Sequence, residues 1–415
     1  MKVLKFGGAS VKDADGVRNL AEVIRQIGFT KGIVVISAMG KMTNAFEEIV
    51  KAVKYQPEVT QEKVNFTKAF HLEIIAGLFG NQSTYAGKIE ELYENLWLII
   101  ETGKNDPFDK LYDAVVSQGE IISTVICSLW LKHSGIDHNW LDARKVIRTD
   151  DNFRKAKINW ELTSTAAQQQ VDQSEITITQ GFIGSDANNH TTTLGREGSD
   201  YTAAILAYCL GAEEVNVFKD VPGVMNADPM FFENPVLLNE ISFREAIEMS
   251  FYGATVIHPK TIQPLQKKNI PLRVKSFITP LLPGTLISKA LMLEPRTPIF
   301  IRKGNQILLS VSDKDFDFIA EEDLSEIYEL FHRYKISINL MQLSAISFSV
   351  SFEDIFNTFQ YLIDDLQKKY KVLYNKNLTL YTIRHFNDST INELVKNKEI
   401  LLKQTSRETI QILTK

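Results

Sequence analysis

The first two thirds of the chain alternate short β-rich runs with stretches of helical periodicity, and this alternation limits the fold more than any other feature. Apolar residues at positions 17, 20, 21, 24 and 27, for example, share one helical face. Strands that alternate with helices form a mostly parallel sheet with helices on both faces, so the sequence predicts an α/β fold. The predicted strands are Val3–Phe6, Ile33–Ser37, Asn139–Asp142, Ile176–Gln180, Val215–Phe218 and Leu272–Lys275.

A proline-rich stretch ends this pattern. Four prolines between residues 280 and 298 cannot continue a helix, so we predict a first domain over 1–280 and a linker over 281–300. The order strand, helix, strand, strand then occurs twice, in 301–375 and, shortened, in 376–415, which predicts paired ferredoxin-like modules of the α+β class. The predicted tail elements are strands Ile307–Val311, Ser337–Leu343, Ile346–Phe352, Leu378–His385, Glu399–Lys403 and Thr409–Leu413, and helices Glu322–Tyr334, Glu353–Tyr370 and Ser389–Lys396.

Composition narrows the class of protein. A length of 415 residues exceeds what one core usually holds, and 44% hydrophobic with 23% charged residues is ordinary for a soluble protein. The net charge of -5 argues against nucleic acid or an anionic membrane as partner. We see no signal peptide and no apolar run of about 20 residues. Cys127 and Cys209 are far apart in helix-like surroundings, so buried thiols in the reducing cytoplasm are expected.

Three common nucleotide-binding signatures are absent from the sequence. Gly-Lys occurs three times, but neither Ser nor Thr follows, so there is no Walker A loop. No G-x-G-x-x-G follows a predicted strand, and neither His-Arg-Asp nor Asp-Phe-Gly occurs. Any phosphoryl-transfer chemistry here requires another scaffold.

Lys5, Gly7 and Gly8 form the first candidate site, where the first predicted strand ends. Glycines let backbone N–H groups approach a phosphate closely, and the start of a helix nearby favours negative charge. Lys5 could reach the β- and γ-phosphates as a point charge. A plain turn with a surface lysine is the alternative.

The second and third candidates also follow predicted elements. Ser37 and Thr43 flank a glycine after the second strand, in a segment that could also be an ordinary loop. Ligands of open α/β sheets collect outside the carboxyl ends of the strands, where this segment is expected to lie. Glu120 follows Gly119 inside a long helical pattern. It could accept hydrogen bonds from a substrate ammonium group, or it could be a solvated helix glutamate.

The fourth candidate is the most specific, because Arg196 lies between two glycines and a helix starts at Ser199 or Asp200. An arginine fork on a glycine loop suits bidentate capture of a carboxylate. Asp200 either complements the helix dipole or orients a cationic catalytic group. The fifth candidate runs over 218–229, a segment rich in turn residues after a strand, as expected of a loop shaped around a ligand.

Taken in order, these five segments resemble the aspartokinases of the amino-acid kinase family. The match extends from the Lys-Phe-Gly-Gly run at Lys5 through the Gly-Arg-Glu-Gly-Ser-Asp run at Gly195 into the tail. The resemblance implies the amino-acid kinase fold for the catalytic domain over 1–280. For the tail it implies paired ACT domains, which commonly bind a pathway end product and close a homodimer.

The reaction implied by the resemblance is transfer of a phosphoryl group from ATP, with Mg²⁺, to the β-carboxylate of L-aspartate. The product is 4-phospho-L-aspartate, at the head of lysine, threonine and methionine synthesis. A carboxylate is already nucleophilic, so catalysis consists of positioning and charge neutralisation. No residue is assigned to a metal.

The resemblance also assigns the site residues, in three sets. The catalytic residues are Lys5 and Asp200, the carboxylate that organises the catalytic lysines. The aspartate-binding residues are Ser37, Thr43, Glu120, Arg196 and Ser199. The nucleotide-binding residues are Lys5, Gly7, Gly8, Lys219, Asp220, Met225, Met230 and Thr255.

The chain departs from its relatives at several of these positions. Relatives often carry a lysine where this chain has Thr255, and we hypothesise that Lys219 or Lys260 supplies the missing charge. In lysine-sensitive relatives acidic residues stand at the positions of Asn339 and Ala345. Inhibition by lysine or threonine at the ACT modules is therefore a hypothesis.

Two alternatives stay open. One is a different family member that phosphorylates glutamate, acetylglutamate or a nucleoside monophosphate, although most of these lack the doubled tail. The other is a catalytically weak regulatory subunit that binds nucleotide and amino acids. Some relatives carry an aromatic residue and an arginine at the positions of Met225 and Met230. These two methionines and Thr255 motivate the second alternative. The intact site residues oppose it: Lys5, Glu120, Arg196 and Asp200.

Overall fold

The computed structural model describes residues 1–80, 84–254, 257–289, 292–315 and 317–415. The chain divides into two compact units. The first unit comprises 1–224, 237–247 and 256–295, and the second comprises 225–236, 248–255 and 296–415.

An eight-stranded sheet forms the centre of the first unit, in the order β3-β4-β2-β1-β7-β9-β10-β8. The six strands from β3 to β9 in this order are parallel, whereas β10 is antiparallel to β9 and parallel to β8. The strands are β1 (Lys2–Phe6), β2 (Gly32–Ile36), β3 (Asn139–Leu141), β4 (Ile176–Gln180), β7 (Glu214–Lys219), β8 (Glu240–Ser242), β9 (Leu272–Ser276) and β10 (Thr285–Ser288), and a separate hairpin is formed by β5 (Ile183–Ser185) and β6 (Thr191–Thr193).

The central strands are apolar because both faces of the sheet are covered. Every residue of β2 is buried, and its Ile-Val-Val-Ile run is typical of a parallel strand between two helical layers. The helices are α1 (Ala14–Gln26), α2 (Met42–Tyr55), α3 (Thr60–Phe79), α4 (Ala86–Gly103), α5 (Phe108–His133), α6 (Trp160–Gln170), α7 (Gly198–Leu210) and α9 (Pro259–Lys268); α8 (Phe243–Tyr252) runs from the first unit into the second.

Two helices show how the sequence pattern produces this arrangement. Helix α1 begins after Asp13, whose side chain accepts a hydrogen bond from the N–H of Gly16 at 2.8 Å, and its apolar face is buried as predicted. Among the described helices, α5 is the one with the length and hydropathy of a membrane span. Its apolar stretch is 78% buried inside the protein, which is the burial of a core helix.

The second unit is built on a six-stranded antiparallel sheet, in the order β12-β13-β11-β14-β16-β15. Leu309, Val350 and Leu362 belong to one apolar core of this unit, and Ile383 and Ile410 to another. Its elements are β11 (Ile299–Asp313), α10 (Glu321–Arg333), β12 (Ile338–Leu343), β13 (Ser347–Glu353), α11 (Phe359–Lys369), β14 (Tyr370–Arg384), α12 (Asp388–Val395), β15 (Ile400–Thr405) and β16 (Thr409–Thr414).

The predicted α/β sheet and the repeated α+β tail are confirmed, but several boundaries differ. Strand β11, predicted over Ile307–Val311, extends from Ile299 to Asp313. The predicted linker over 281–300 contains β10, whose hydrogen bonds to β8 and β9 place it inside the large sheet. The predicted division between 375 and 376 falls inside β14, because this strand continues unbroken along β11. The helix predicted over Glu353–Tyr370 begins only at Phe359, and Glu353 is instead the last residue of β13. The assignment of separate catalytic and regulatory domains stays a prediction.

Candidate active site

A buried ion pair lies where β1 ends and α7 begins. The ammonium nitrogen of Lys5 is 2.5 Å from Oδ1 of Asp200, and both residues are almost fully buried. The interpretation of Lys5 as a surface lysine is therefore wrong. Burial alone would raise the pKa of Asp200, but the positive charges of Lys5 and Lys219 outweigh it and hold that pKa below its ordinary value.

Lys219 reaches this pair because β7 runs parallel to β1. Phe6 and Phe218 are register partners, and their rings stack at 4.7 Å between centroids, so the strands end side by side. Lys219 is the last residue of β7, and the exposed Asp220 follows it. The structure therefore brings together three charges that are far apart in the sequence.

The Gly7-Gly8 turn follows β1 and touches the loop after β2. A Cβ added to Gly8 would lie 2.6 Å from the carbonyl oxygen of Ala38, and the N–H of Gly40 donates to the oxygen of Gly8 at 2.9 Å. Only glycine permits this backbone contact. A Cβ on Gly7 would lie 3.4 Å from the ammonium nitrogen of Lys5. The bare backbone thus leaves the lysine open to a neighbouring anion.

Glu120 faces the same region from α5. It is only 2% exposed, and among the described residues its Oε2 has no hydrogen-bond partner, so the solvated-glutamate alternative is wrong. Burial raises the pKa of Glu120 to about 8, although a hydrogen bond from the backbone of Ala38 and the charge of Lys5 oppose the rise. Gly119 allows the close packing behind it, because an added Cβ would lie 3.3 Å from the ring of Phe46.

Ser37 and Thr43 lie on the loop and helix that follow β2. The N–H of Ser37 donates to the oxygen of Phe6 at 3.1 Å, and its own carbonyl accepts the hydroxyl of Ser123 on α5 at 2.7 Å. These bonds tie the loop to β1 and to the helix that carries Glu120. Thr43 is half-buried in the first turn of α2.

Arg196 lies in the turn between β6 and α7. Gly195 has φ +77° and Glu197 has φ +52°, so the turn uses two left-handed residues. Arg196 is exposed, and among the residues that the structure describes its guanidinium has no hydrogen-bond or ion-pair partner. Glu197 is engaged, because its carboxylate accepts the N–H of His258 at 2.8 Å. The turn therefore presents a cation to solvent just before the buried Ser199 and Asp200.

Phe182 was missed by the sequence analysis. It has φ +73°, which is rare for an aromatic residue, and strain of this kind often occurs at functional sites. Its N–H donates to the hydroxyl of Thr202 at 2.9 Å, and its carbonyl accepts the N–H of Leu194 at 2.9 Å. A Cβ on Gly198 would lie 2.5 Å from its ring. The Gly-Phe pair directly after β4 was the available signal.

Three further nucleotide-binding assignments stay predictions. Met225 and Met230 belong to the second unit, and Met230 is 82% exposed. Thr255 lies outside the described residues. Over those residues, no group of three or more His, Cys, Asp and Glu side chains is arranged to hold a metal ion.

The arrangement is suited to two anionic ligands that meet. Lys5 and the bare glycine turn can neutralise and approach a phosphate. Arg196 can pair with a carboxylate, and Glu120 can accept hydrogen bonds from an ammonium group. Asp200 has no exposed surface from which to attack a substrate; its neighbours make it a counter-ion for the lysines.

Comparisons with known proteins agree with this chemistry. Residues 1–276 match the Amino acid kinase family. The chain is 33% identical over 354 residues to lysine-sensitive aspartokinase 3 of Escherichia coli strain K12, covering 85% of this chain and 78% of that protein. It is 29% identical to chloroplastic aspartokinase 1 of Arabidopsis thaliana, over 85% of this chain but only 63% of that protein's length.

Solved structures give the same result for the whole chain. E. coli aspartokinase III in complex with lysine and aspartate superposes with a TM-score of 0.85 at 29% identity, covering 100% of this chain and 95% of that one. The same enzyme with aspartate and ADP gives 0.81 at 28% identity, with coverages of 100% and 96%. The chain therefore belongs to the amino acid kinase family and, within that family, to the aspartokinases.

Proposed function

We propose that this protein transfers the γ-phosphoryl group of ATP to the β-carboxylate of L-aspartate, at the head of lysine, threonine and methionine synthesis. The observation that carries the proposal is the buried Lys5–Asp200 pair, with Glu120 buried nearby and Arg196 exposed on its turn. The E. coli relative has been solved with aspartate and ADP, which supports the same two substrates here.

In this proposal the lysines neutralise the transferring phosphoryl group. Asp200 holds the ammonium of Lys5 at the end of β1, and the charge of Lys219 acts on the same carboxylate. Backbone N–H groups of Gly7 and Gly8 approach the phosphates. Preorganised charges of this kind stabilise a phosphoryl-transfer transition state without reorganising during the reaction.

Aspartate is held at both ends in this proposal. Arg196 pairs with a carboxylate, and Glu120 accepts the α-ammonium group, which removes the cost of burying its own charge. Ser37, Thr43 and Ser199 supply hydroxyl groups around the same substrate. The β-carboxylate is already ionised at neutral pH, so no general base is required.

Mg²⁺ is expected to arrive with the nucleotide. Magnesium usually keeps several waters and binds through substrate phosphates with one or two carboxylates. The described residues fit this, because they provide lysines and a glycine turn for the phosphates but no protein cage for a metal. When bound, the ion would share the charge of the β- and γ-phosphates with Lys5.

We further propose that the protein is a cytoplasmic homodimer with an amino-acid effector site, for lysine or threonine, in the tail. The lysine-sensitive E. coli relative supports an effector. The amide oxygen of Asn339 already accepts a hydrogen bond from the ammonium of Lys303 at 2.7 Å. An incoming lysine would compete with Lys303 for this oxygen. Unchanged activity at millimolar lysine and threonine would argue against the effector.

The direct test is ADP release by purified protein with MgATP and aspartate, glutamate or no acceptor. We expect release that depends on aspartate, and a strong loss in Arg196→Ala. A preference for glutamate would favour the other carboxylate kinases of the family. Nucleotide binding without turnover on either acceptor would favour the regulatory subunit.

A further inference from the structure

Asp113 is a fully buried carboxylate on α5 that the site described above does not use. It lies seven residues before Glu120, so both side chains leave the same face of the helix. Its Oδ2 accepts hydrogen bonds from the N–H groups of Thr193 (2.8 Å) and Arg154 (3.0 Å), and its Oδ1 accepts the hydroxyl of Thr193 (2.6 Å). Burial raises the pKa of Asp113 to about 6, against the lowering effect of these hydrogen bonds.

The partners of Asp113 lie on the chain that leads into the Arg196 turn. Thr193 is the last residue of β6, three residues before Arg196. The carbonyl of Thr193 accepts the N–H of Ala156 at 3.0 Å, and a Cβ on Gly195 would lie 3.1 Å from the carbonyl oxygen of Arg154. The two segments are thus in backbone contact, and one carboxylate is bonded to both.

Arg154 is itself held in an unusual conformation. Its φ is +66°, in the left-handed region that non-glycine residues rarely adopt. Its guanidinium stacks over the ring of Tyr112 on α5 at 4.4 Å. Its ion pair with Asp109 at 3.2 Å is exposed and contributes little, because solvent screens such pairs. Backbone and side chain of this residue are therefore fastened to the same helix as Asp113.

We propose that Asp113 is a positioning residue for the aspartate site, because it fixes where the Arg196 turn leaves β6 relative to Glu120 on α5. The inference rests on the proposed function, in which Arg196 and Glu120 bind opposite ends of aspartate. Lys5 and the glycine turn depend on β1 instead. Loss of the Asp113 carboxylate should therefore weaken aspartate capture and leave nucleotide binding almost unchanged.

The test is a comparison of Asp113→Asn with Asp109→Asn, which removes an exposed carboxylate on the same helix. The partner of Asp109 among the described residues is the guanidinium of Arg154. Loss of a hydrogen bond between charged groups weakens binding roughly 10- to 100-fold. We expect the KM for aspartate to rise by about this factor in Asp113→Asn, with the KM for ATP within about twofold of wild type. Asp109→Asn should match wild type in both constants.

A second pair of variants guards against misfolding. Thr193→Val removes one donor to Asp113 and should raise the KM for aspartate by a smaller factor, whereas Thr193→Ser keeps the hydroxyl and should restore it. If Asp113→Asn and Thr193→Val lower only kcat, or change both KM values equally, the residue is merely structural and the proposal is overturned.

Hydrogen–deuterium exchange separates this proposal from the proposed function, since it requires no turnover. In Asp113→Asn the amides of 193–198 should exchange faster, while those of β1 keep their protection. Unchanged exchange at 193–198 overturns the positioning role even in an active enzyme. If the wild-type protein shows no aspartate-dependent turnover while 193–198 exchange faster in Asp113→Asn, the proposed function is contradicted. The role of Asp113 in holding the turn would still stand.

Discussion

Burial of the Glu120 carboxyl group destabilises the folded protein when no ligand is bound. Within the described part of the chain its buried Oε2 has no hydrogen-bond partner. The backbone of Ala38 and the charge of Lys5 favour its ionised form, but burial outweighs them. Residues that bind a ligand often reduce the stability of the ligand-free protein, because the ligand supplies the hydrogen-bond partner of their buried polar groups. The free energy of unfolding and the aspartate KM should therefore respond oppositely to a change at this residue.

We predict that Glu120→Gln stabilises the ligand-free protein and weakens aspartate binding. The pKa of Glu120 is raised from 4.5 to about 8, so between these values the unfolded chain is ionised and the folded protein is protonated. Stability then falls as pH rises through this window, by up to about 1.4 kcal/mol per pH unit for one group. The melting temperature of the variant should exceed that of wild type by more at pH 8 than at pH 5.5.

The kinetic half of this prediction has the opposite sign. Loss of a charged hydrogen bond to the substrate ammonium should cost about 1.5–3 kcal/mol of binding free energy. The KM for aspartate should therefore rise roughly 10- to 100-fold. Glu73→Gln, at an exposed position on α3, is the matched control and should change neither quantity. A variant less stable than wild type at pH 8 would contradict the cost we assign to Glu120.

A second prediction concerns the lysine that relatives carry at the position of Thr255. Lys219 acts electrostatically on Asp200, whereas Lys260 is exposed at the start of α9. We expect Lys219→Met to lower kcat roughly 100-fold, as loss of one preorganised charge does elsewhere. Lys260→Met should lower it less than threefold. Steady-state kinetics at saturating substrate concentrations measures both kcat values. A larger loss of kcat in Lys260→Met than in Lys219→Met would assign the missing charge to Lys260.

Residues whose role is set by near neighbours were predictable, and those set by distant contacts were not. Lys5, Gly7 and Gly8 are recognisable because strand, glycine turn and helix follow one another in the sequence. Asp113 bonds to Thr193, 80 positions away, and nothing near it in the sequence marks it as buried. Glu120 was found as a residue, but its burial depends on packing between α5 and two loops.

At the scale of elements, the same distinction explains which strands were found. Strand β2 is an apolar run buried on both faces, and β4 alternates isoleucine with threonine, both of high strand propensity. Both strands were predicted within one or two residues. The hairpin β5–β6 and strand β8 have only three residues each, too few for a period to be recognised. In β14 the residues 373–377 are exposed, and the polar run 375–377 resembles a turn, so the sequence predicted a strand only over Leu378–His385.

The loops that follow β1 and β2 are in close backbone contact at Gly8, and this contact leads to a further prediction. Gly8→Ala would force a Cβ to within 2.6 Å of the Ala38 oxygen and 2.8 Å of the Gly40 oxygen, both backbone atoms that cannot turn aside. We expect a loss of about 1–3 kcal/mol in the free energy of unfolding and a raised KM for ATP. Urea unfolding and initial rates measure the two effects.

Gly87→Ala is the matched control for that substitution. Gly87 lies in α4, and an added Cβ would meet nothing within 4 Å. Helix propensity should therefore stabilise this variant by up to about 1 kcal/mol, with kinetics unchanged. If Gly8→Ala were as stable as wild type, the contact between the two loops would not be the reason for glycine at this position.

At the scale of the whole molecule, the chain holds separate cores around an eight-stranded and a six-stranded sheet. Each unit has its own sheet, and the residues of the candidate site from Lys5 to Lys219 belong to the first. A ligand that binds one folded unit stabilises that unit by mass action. The two units should therefore respond differently to nucleotide.

We predict two transitions in calorimetry, of which MgADP raises only one. At a concentration 100 times its Kd, a ligand adds about 2.7 kcal/mol to the unit that binds it, which shifts that transition upward by several degrees. If the tail closes a homodimer, the other transition should rise with protein concentration instead. Lys5→Met should abolish the shift with MgADP and leave the concentration dependence intact. A single transition that moves with both variables would show that the two units unfold together and would contradict this prediction.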